Sequence, residues 1–307
     1  MHALILIAGL AMTAPQPAAE QPQQQEATPE ASAAVAKVSA LTRDTRGRPT
    51  IEAEINGKGP FRMVFDTAAQ TSLLTPTLVD ELGLPAIGEM EVGGVAGQQQ
   101  AALYGVDHFK TALFDRTAVG MIALPNATVT EARGIVGMEM FTQSRVVVDN
   151  AAERLTIEPS GSSTTDFVAV VGRLSDSGLL EVPVEIDGVT FNALIDTGAS
   201  VSVASGGALK ALGWTDTDPR LAPAGAIRGA TDHGTAVLKG AVGRIRLGPV
   251  NFRDVPLIFV AGEASETKEG QTPNLILGSD LLNTLDSFAL DFPKAELQIR
   301  VPQQQRP

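Results

Sequence analysis

The chain has 307 residues, 44% of them hydrophobic, and 30 glycines; this is room for two domains of ordinary size with real cores, in a composition that suits short strands and tight turns. Its net charge is −12 and it has no run rich in Lys and Arg, which excludes nucleic acid as a partner, because gripping a phosphate backbone rests on basic patches. It contains no cysteine, so disulfides and thiolate chemistry are excluded and the redox compartment is left open.

Taken in chain order, the first feature is the apolar run Ala3–Met12, too short to span a bilayer as a helix and without a Lys or Arg before it. We read it as the apolar core of a secretory signal, which implies a periplasmic or secreted protein with no stable membrane span; read instead as the apolar start of a disordered leader, it leaves the protein cytoplasmic. Residues 15–36 are rich in Pro, Gln, Ala and Glu and cannot bury enough apolar surface to fold, so residues 1–46 are expected to be signal and disordered leader. A first unit is predicted over 47–160, with strands near 50–56, 61–66, 89–93, 99–105, 118–124, 145–149 and 154–158. Its helix runs from Pro76 to Leu82, with Thr75 as N-cap, Pro at the first helical position and Gly83 just past the end. Residues 159–165 are poor in apolar side chains and mark a junction, and 161–178 are expected to be linker. A second unit over 179–307 has predicted strands near 180–187, 190–196, 224–229, 235–247, 251–260, 287–292 and 296–301, a short helix from Gly207 to Leu212 and a frayed tail. The fold class is all-β, in two tandem units.

The two units repeat one another. Residues 61–84 read FRMVFDTAAQTSLLTPTLVDELGL and residues 191–214 read FNALIDTGASVSVASGGALKALGW, 130 positions downstream (196 − 66). Each copy is preceded by a hairpin signal, Glu54-Ile55-Asn56-Gly57 or Glu185-Ile186-Asp187-Gly188. Each is followed by an apolar-apolar-Gly step, Ile135-Val136-Gly137 or Ile276-Leu277-Gly278, with a short helical stretch after it. Shared landmarks in one order mark an internal duplication. Within it, Asp66 and Asp196 each follow an apolar triplet. A carboxylate at the end of a buried strand is costly unless it is bonded or has work to do. Two in matching contexts suggest a pair that meets on a pseudo-twofold axis and shares a proton.

The order apolar-apolar-Asp-Thr-Gly-Ala, a Gly-rich middle and then apolar-apolar-Gly with a short helix resembles the retropepsin-like aspartic proteases. In that family one such unit supplies one aspartate and two make one active site. Asp196-Thr197-Gly198-Ala199 matches the pattern fully, whereas Asp66-Thr67-Ala68-Ala69 has Ala68 in place of glycine. The resemblance spans roughly residues 47–302. It implies an aspartic endopeptidase acting on peptides or unfolded protein without metal or cofactor, and Thr67 and Thr197 bonding across the dyad to the opposite unit.

One ionised and one protonated carboxyl can activate a water and protonate a leaving group, so Asp66 and Asp196 are the candidate catalytic residues. Gly198 lets the backbone approach the carboxylates; Ala68 adds a methyl there, which costs little at negative φ and brings strain at positive φ. The Gly-rich segments around Gly93, Gly94 and Gly97, and around Gly229, Ala230 and Gly234, fit hairpin flaps over an extended substrate or plain turns. His2, His108 and His233 have no metal-ligand partner at helical or hairpin spacing, and no Gly-x-Ser-x-Gly elbow occurs. Because both halves lie in one chain, the site is expected to close within a monomer. The residues also fit a duplicated peptide-binding module that has lost catalysis, with Ala68 as the mark of the loss, and pairing of each unit with its mate in another chain.

Overall fold

Asn56-Gly57 and Asp187-Gly188 reverse the chain as their sequences dictate. Both residues of each pair have positive φ, 51° and 72° in the first and 47° and 89° in the second, the combination of a two-residue type I′ hairpin turn. The flanking pairs are Ile55 with Lys58 and Ile186 with Val189. The computed structural model describes residues 36–94, 97–125, 130–205, 207–231, 234–260 and 272–301. The signal-like run, the spacer as far as residue 35 and the tail from residue 302 lie outside them.

The first half supplies β1 (Lys37–Ala40), β2 (Thr42–Arg43), β3 (Pro49–Ile55), β4 (Lys58–Phe65), β5 (Leu73–Leu74), β6 (Ala86–Gly94), β7 (Gly97–Thr111), β8 (Asp115–Ala123), β9 (Gly134–Val136), β10 (Ser144–Asp149) and β11 (Arg154–Pro159). The second supplies β12 (Phe167–Val171), β13 (Arg173–Leu174), β14 (Leu180–Ile186), β15 (Val189–Ile195), β16 (Val203–Ser205), β17 (Ala222–Arg228), β18 (Gly234–Leu247), β19 (Val250–Val260), β20 (Asn274–Leu277), β21 (Ser287–Asp291) and β22 (Glu296–Arg300). Among the described residues the helices are short: α1 (Pro76–Leu82), α2 (Ala208–Ala211) and α3 (Ser279–Leu282), with a 3₁₀ turn at Met138–Met140. The ends of α1 are set as expected: the Leu78 amide donates to the Thr75 hydroxyl at 3.3 Å, and Gly83 takes the left-handed conformation.

The duplication is exact at the level of topology. One eight-stranded sheet has the order β2-β3-β4-β9-β5-β8-β7-β6 and the other β13-β14-β15-β20-β16-β19-β18-β17, so adding eleven to each strand number converts one into the other. Extra pairings, β3 with β7 and β14 with β18, fold each sheet back on itself. β4 and β15 lie inside their sheets, which explains their apolar ends: Met63, Val64 and Phe65 are fully buried, as are Ala193 and Ile195.

A third sheet joins the halves, in the order β1-β11-β10-β21-β22-β12. Its centre is antiparallel pairing of β10 with β21, from Arg145 opposite Asp291 to Asp149 opposite Ser287. The edges correct two expectations. β1 and β2 lie inside the segment read as leader, and β12 and β13 inside the segment read as linker. The four-residue Lys37–Ala40 has no strand pattern of its own; it is a strand because β11 offers it an open edge, Lys37 meeting Ile157. Phe167 likewise meets Arg300 on β22. Tertiary pairing overrides weak local preference here. One apolar core runs through both halves, from Leu41 to Ile299.

Candidate active site

β4 and β15 each deliver an aspartate where the strand runs out. The Asp66 amide donates to the Val136 carbonyl at 3.1 Å and the Asp196 amide to the Leu277 carbonyl at 3.0 Å, each on the parallel neighbour strand. The chain then turns, and Gly137 and Gly278 let the turn sit close. A Cβ on Gly137 would stand 2.7 Å from the Thr71 carbonyl carbon, and one on Gly278 would stand 2.7 Å from the Val201 carbonyl carbon. This is why the apolar-apolar step ends in glycine in both copies.

Two threonines bind the turns to each other. The Thr67 hydroxyl donates to the Ile195 carbonyl at 2.6 Å and accepts from the Thr197 amide at 3.0 Å. The Thr197 hydroxyl donates to the Phe65 carbonyl at 2.6 Å and accepts from the Thr67 amide at 3.1 Å. Both side chains are buried, and each hydroxyl uses its proton and a lone pair inward. A closed network of this kind strengthens its own members and fixes the separation of the two strand ends.

Above this network both carboxyls line one cleft, and that of Asp66 lies over Gly198 in the turn that carries Asp196. One oxygen of each is held by the turn that follows, Asp66 Oδ1 by the Ala68 amide and Asp196 Oδ1 by the Ala199 amide, both at 2.8 Å. Burial pushes both carboxyls above the usual aspartate range. On Asp66 the Ala68 amide and the Arg48 guanidinium oppose the rise. On Asp196 the neighbouring Asp66 charge adds to it, and the carboxyl is pushed well up.

That direction has a consequence for stability. A native carboxyl with a raised pKa holds its proton more tightly than the unfolded chain does. Its contribution is complete below the unfolded value, about 3.9, and is lost as pH rises through the native value. Wild-type stability is therefore expected to fall between the unfolded and the native values of Asp196, by up to about 1.4 kcal/mol per pH unit, and to level off once both states are ionised. Asp196→Asn lacks that ionisation, and should match the wild type at low pH and exceed it above. Thermal melts of both proteins from about pH 4 to about pH 9 measure the gap; parallel curves would show that Asp196 ionises as an ordinary aspartate.

Gly198 and Ala68 are not equivalent. Both lie outside the left-handed region, so neither position needs glycine for its backbone. Space decides instead. A Cβ on Gly198 would stand 2.1 Å from Asp66 Oδ2 and 2.2 Å from its carboxyl carbon, so the Asp66 carboxyl occupies the place of that methyl. The methyl of Ala68 is accommodated without backbone strain.

The dyad floors a cleft of about 700 Å³, inside the usual range for ligand sites of about 300–1,000 Å³. Its walls include Leu73, Ile122 and Ile135 from the first half and Leu194, Val203 and Ile276 from the second. The hairpin β6–β7 brings Met90, Glu91, Val92 and Gly93 to the cleft, and the segment after β17 brings Gly229 and Ala230. Gly94 and Gly97 are the last described pair of the first hairpin and Gly234 pairs with Arg228 in the second; residues 95–96 and 232–233 lie outside the described residues. Val92 is buried in an apolar cluster with Leu73, Ile122 and Ile135, and Ala230 of the opposite hairpin packs on it. The two hairpins therefore share one patch above the dyad.

Sequence reasoning missed the supports behind the turns. Ser72 and Ser202 occupy matching positions, 130 apart (202 − 72), and their hydroxyls each accept from the glycine amide of the apolar-apolar-Gly step at 3.0 Å. Their amides donate to Glu139 at 2.7 Å and Asp280 at 3.0 Å. The repeat alignment carried this signal, a serine and an acid at like places in both copies. Arg48 was also missed, and its counterpart in the second copy, Leu179, carries no charge that would have drawn attention to it.

Two copies of one β-unit, each lending an Asp-Thr turn to a single cleft, define the acid-protease class. A family model described as aspartyl protease matches the chain twice, over residues 51–140 and 182–281, and the chain belongs to that family, in the retropepsin-like form with two tandem units. No curated protein matches it.

Proposed function

We propose that this protein is an aspartic endopeptidase that hydrolyses peptide bonds with a water activated by Asp66 and Asp196. The observation that carries the reading is the pair of buried aspartates brought to one apolar-walled cleft, their turns tied together by the crossed threonines. The ionised carboxyl takes a proton from water as its oxygen attacks the substrate carbonyl, and the neutral one donates its proton to the carbonyl oxygen. In the collapse of the tetrahedral intermediate the first carboxyl passes its proton to the leaving nitrogen. The second recovers a proton from the diol, which restores the starting state. The substrate is an extended peptide or unfolded protein segment laid under the two hairpins, and the signal-like run at Ala3–Met12 supports a periplasmic or secreted location.

The test is cleavage of an unfolded protein at mildly acidic pH, followed across a sedimentation gradient. Activity is expected at monomer mass, with specific activity independent of enzyme concentration. A specific activity that falls on dilution would favour pairing between chains. Saturable peptide binding without turnover at any pH would leave a peptide-binding module.

A further inference from the structure

Arg48 precedes β3 and is buried, 5% exposed. Its Nη1 donates across the dyad to the Gly198 carbonyl at 3.5 Å, and its Nε donates to the carboxylate of buried Asp44 at 2.8 Å. It belongs to the wall of the cleft together with Asp66 and Asp196. The matching place in the second half is Leu179, whose carbonyl accepts from the Ser175 amide as that of Arg48 accepts from the Asp44 amide. The guanidinium of Arg48 thus has no counterpart at the matching place of the second half. We propose that Arg48 is a positioning residue that keeps the negative charge of the pair on Asp66 and the proton on Asp196, so that two duplicated aspartates hold different jobs.

Three features support this assignment. A cation set against one carboxylate favours the ionised form there, and the Arg48 charge acts on Asp66 in that sense. Among the described residues, the other charges of the cleft wall are Glu91 and Arg228, one from each hairpin and opposite in sign. Glu139 stands behind the Asp66 turn, occupied by the Ser72 amide. Finally, Asp66 is the carboxyl that leans over the free space of Gly198, toward the backbone that Arg48 holds. Asp44 keeps the guanidinium in place by fixing its Nε and Nη2. With the charge on Asp66, that residue is the one that takes the proton of water, and Asp196 protonates the substrate carbonyl.

The inference rests on the proposed hydrolytic use of the dyad, and two readouts separate their failures. The first needs no turnover. A small epoxide is opened by a carboxylate anion, whose oxygen attacks a ring carbon to leave a hydroxyalkyl ester, so peptide mapping after labelling reports which aspartate is ionised. Wild type is expected to carry the ester on Asp66. In Arg48→Met the label should spread to Asp196, and Arg48→Lys, which keeps the charge, should restore the wild-type pattern. Asp44→Asn/Arg48→Met removes both members of the ion pair, leaves no unpaired buried carboxylate, and should label as Arg48→Met does. The second readout is the pH profile of kcat/KM. Its acid limb is expected to move up by about one pH unit in both Met variants and to return toward wild type in the Lys variant. Labelling of wild type on Asp196, or Met variants that are folded yet keep both the wild-type label and the wild-type acid limb, would overturn the role of Arg48. Selective labelling of Asp66 without hydrolysis would uphold the charge assignment and remove the proposed activity.

Discussion

Asp66→Asn and Asp196→Asn are each expected to lower kcat/KM by about 10⁴-fold or more, and the double variant should be little worse than either. Each carboxyl lends a proton that the other cannot supply from its own position: one must be free to accept from water while the other donates to the carbonyl. Asn can do neither. Once one member is gone the other has no partner in the cycle, so the second substitution removes what is already lost. Both variants should fold, because Asn keeps the size of the side chain and its Oδ1 can still accept from the Ala68 or Ala199 amide, while the threonine network beneath uses no carboxylate. Steady-state hydrolysis of an unfolded protein measures the effect. A single variant with most of the wild-type rate would end the idea of a shared site.

Gly198→Ala is expected to cost about 10²-fold or more, the scale of displacing a reacting group by about 1 Å. The new methyl cannot coexist with the Asp66 carboxyl at 2.1 Å, and the backbone is held on both flanks: Thr197 by its crossed bonds, Ala199 by its amide on Asp196. The carboxyl must therefore move, and it leaves the pair when it does. Ala68→Gly is the opposite case. It removes a methyl that the structure already accommodates, so activity should be equal or slightly higher, with stability lower by about 0.4–1 kcal/mol from added freedom in the unfolded chain. Kinetics and melting curves on the two variants, side by side, measure the difference. Equal, harmless behaviour at both positions would mean that the Asp66 carboxyl is free to sit elsewhere.

Much of this site was legible because its local chemistry is written locally. Asn56-Gly57 and Asp187-Gly188 can be read as turns from two residues, and α1 from Thr75, Pro76 and Gly83. The duplicated Asp-Thr could be read because the second copy confirms the first. The parts that were not legible depend on distant neighbours. Lys37–Ala40 is a strand only because β11, about 120 residues away (157 − 37), pairs with it. Arg48 gains its place from the Gly198 carbonyl, 150 residues away (198 − 48), and no pattern within reach of residue 48 announces that contact. The question raised by Ala68 could not be decided from the sequence either. It turned on a dihedral angle and on which carboxyl fills the space over the opposite turn.

The sheet that joins the halves also sets a timetable. β10 must wait for β21, and β22 is then laid between β21 and β12, so the last described strand to leave the ribosome, Glu296–Arg300, sits in the interior of that sheet rather than at its edge. Asp196 is made 130 residues after Asp66 (196 − 66), and β20, the strand on which Asp196 rests, begins 78 residues later still (274 − 196). A partly synthesised chain holds one aspartate turn with nothing across from it. Any chemistry that needs both carboxyls is withheld until the second unit has been made as far as β20, so the order in which the strands are made sets when the site can form.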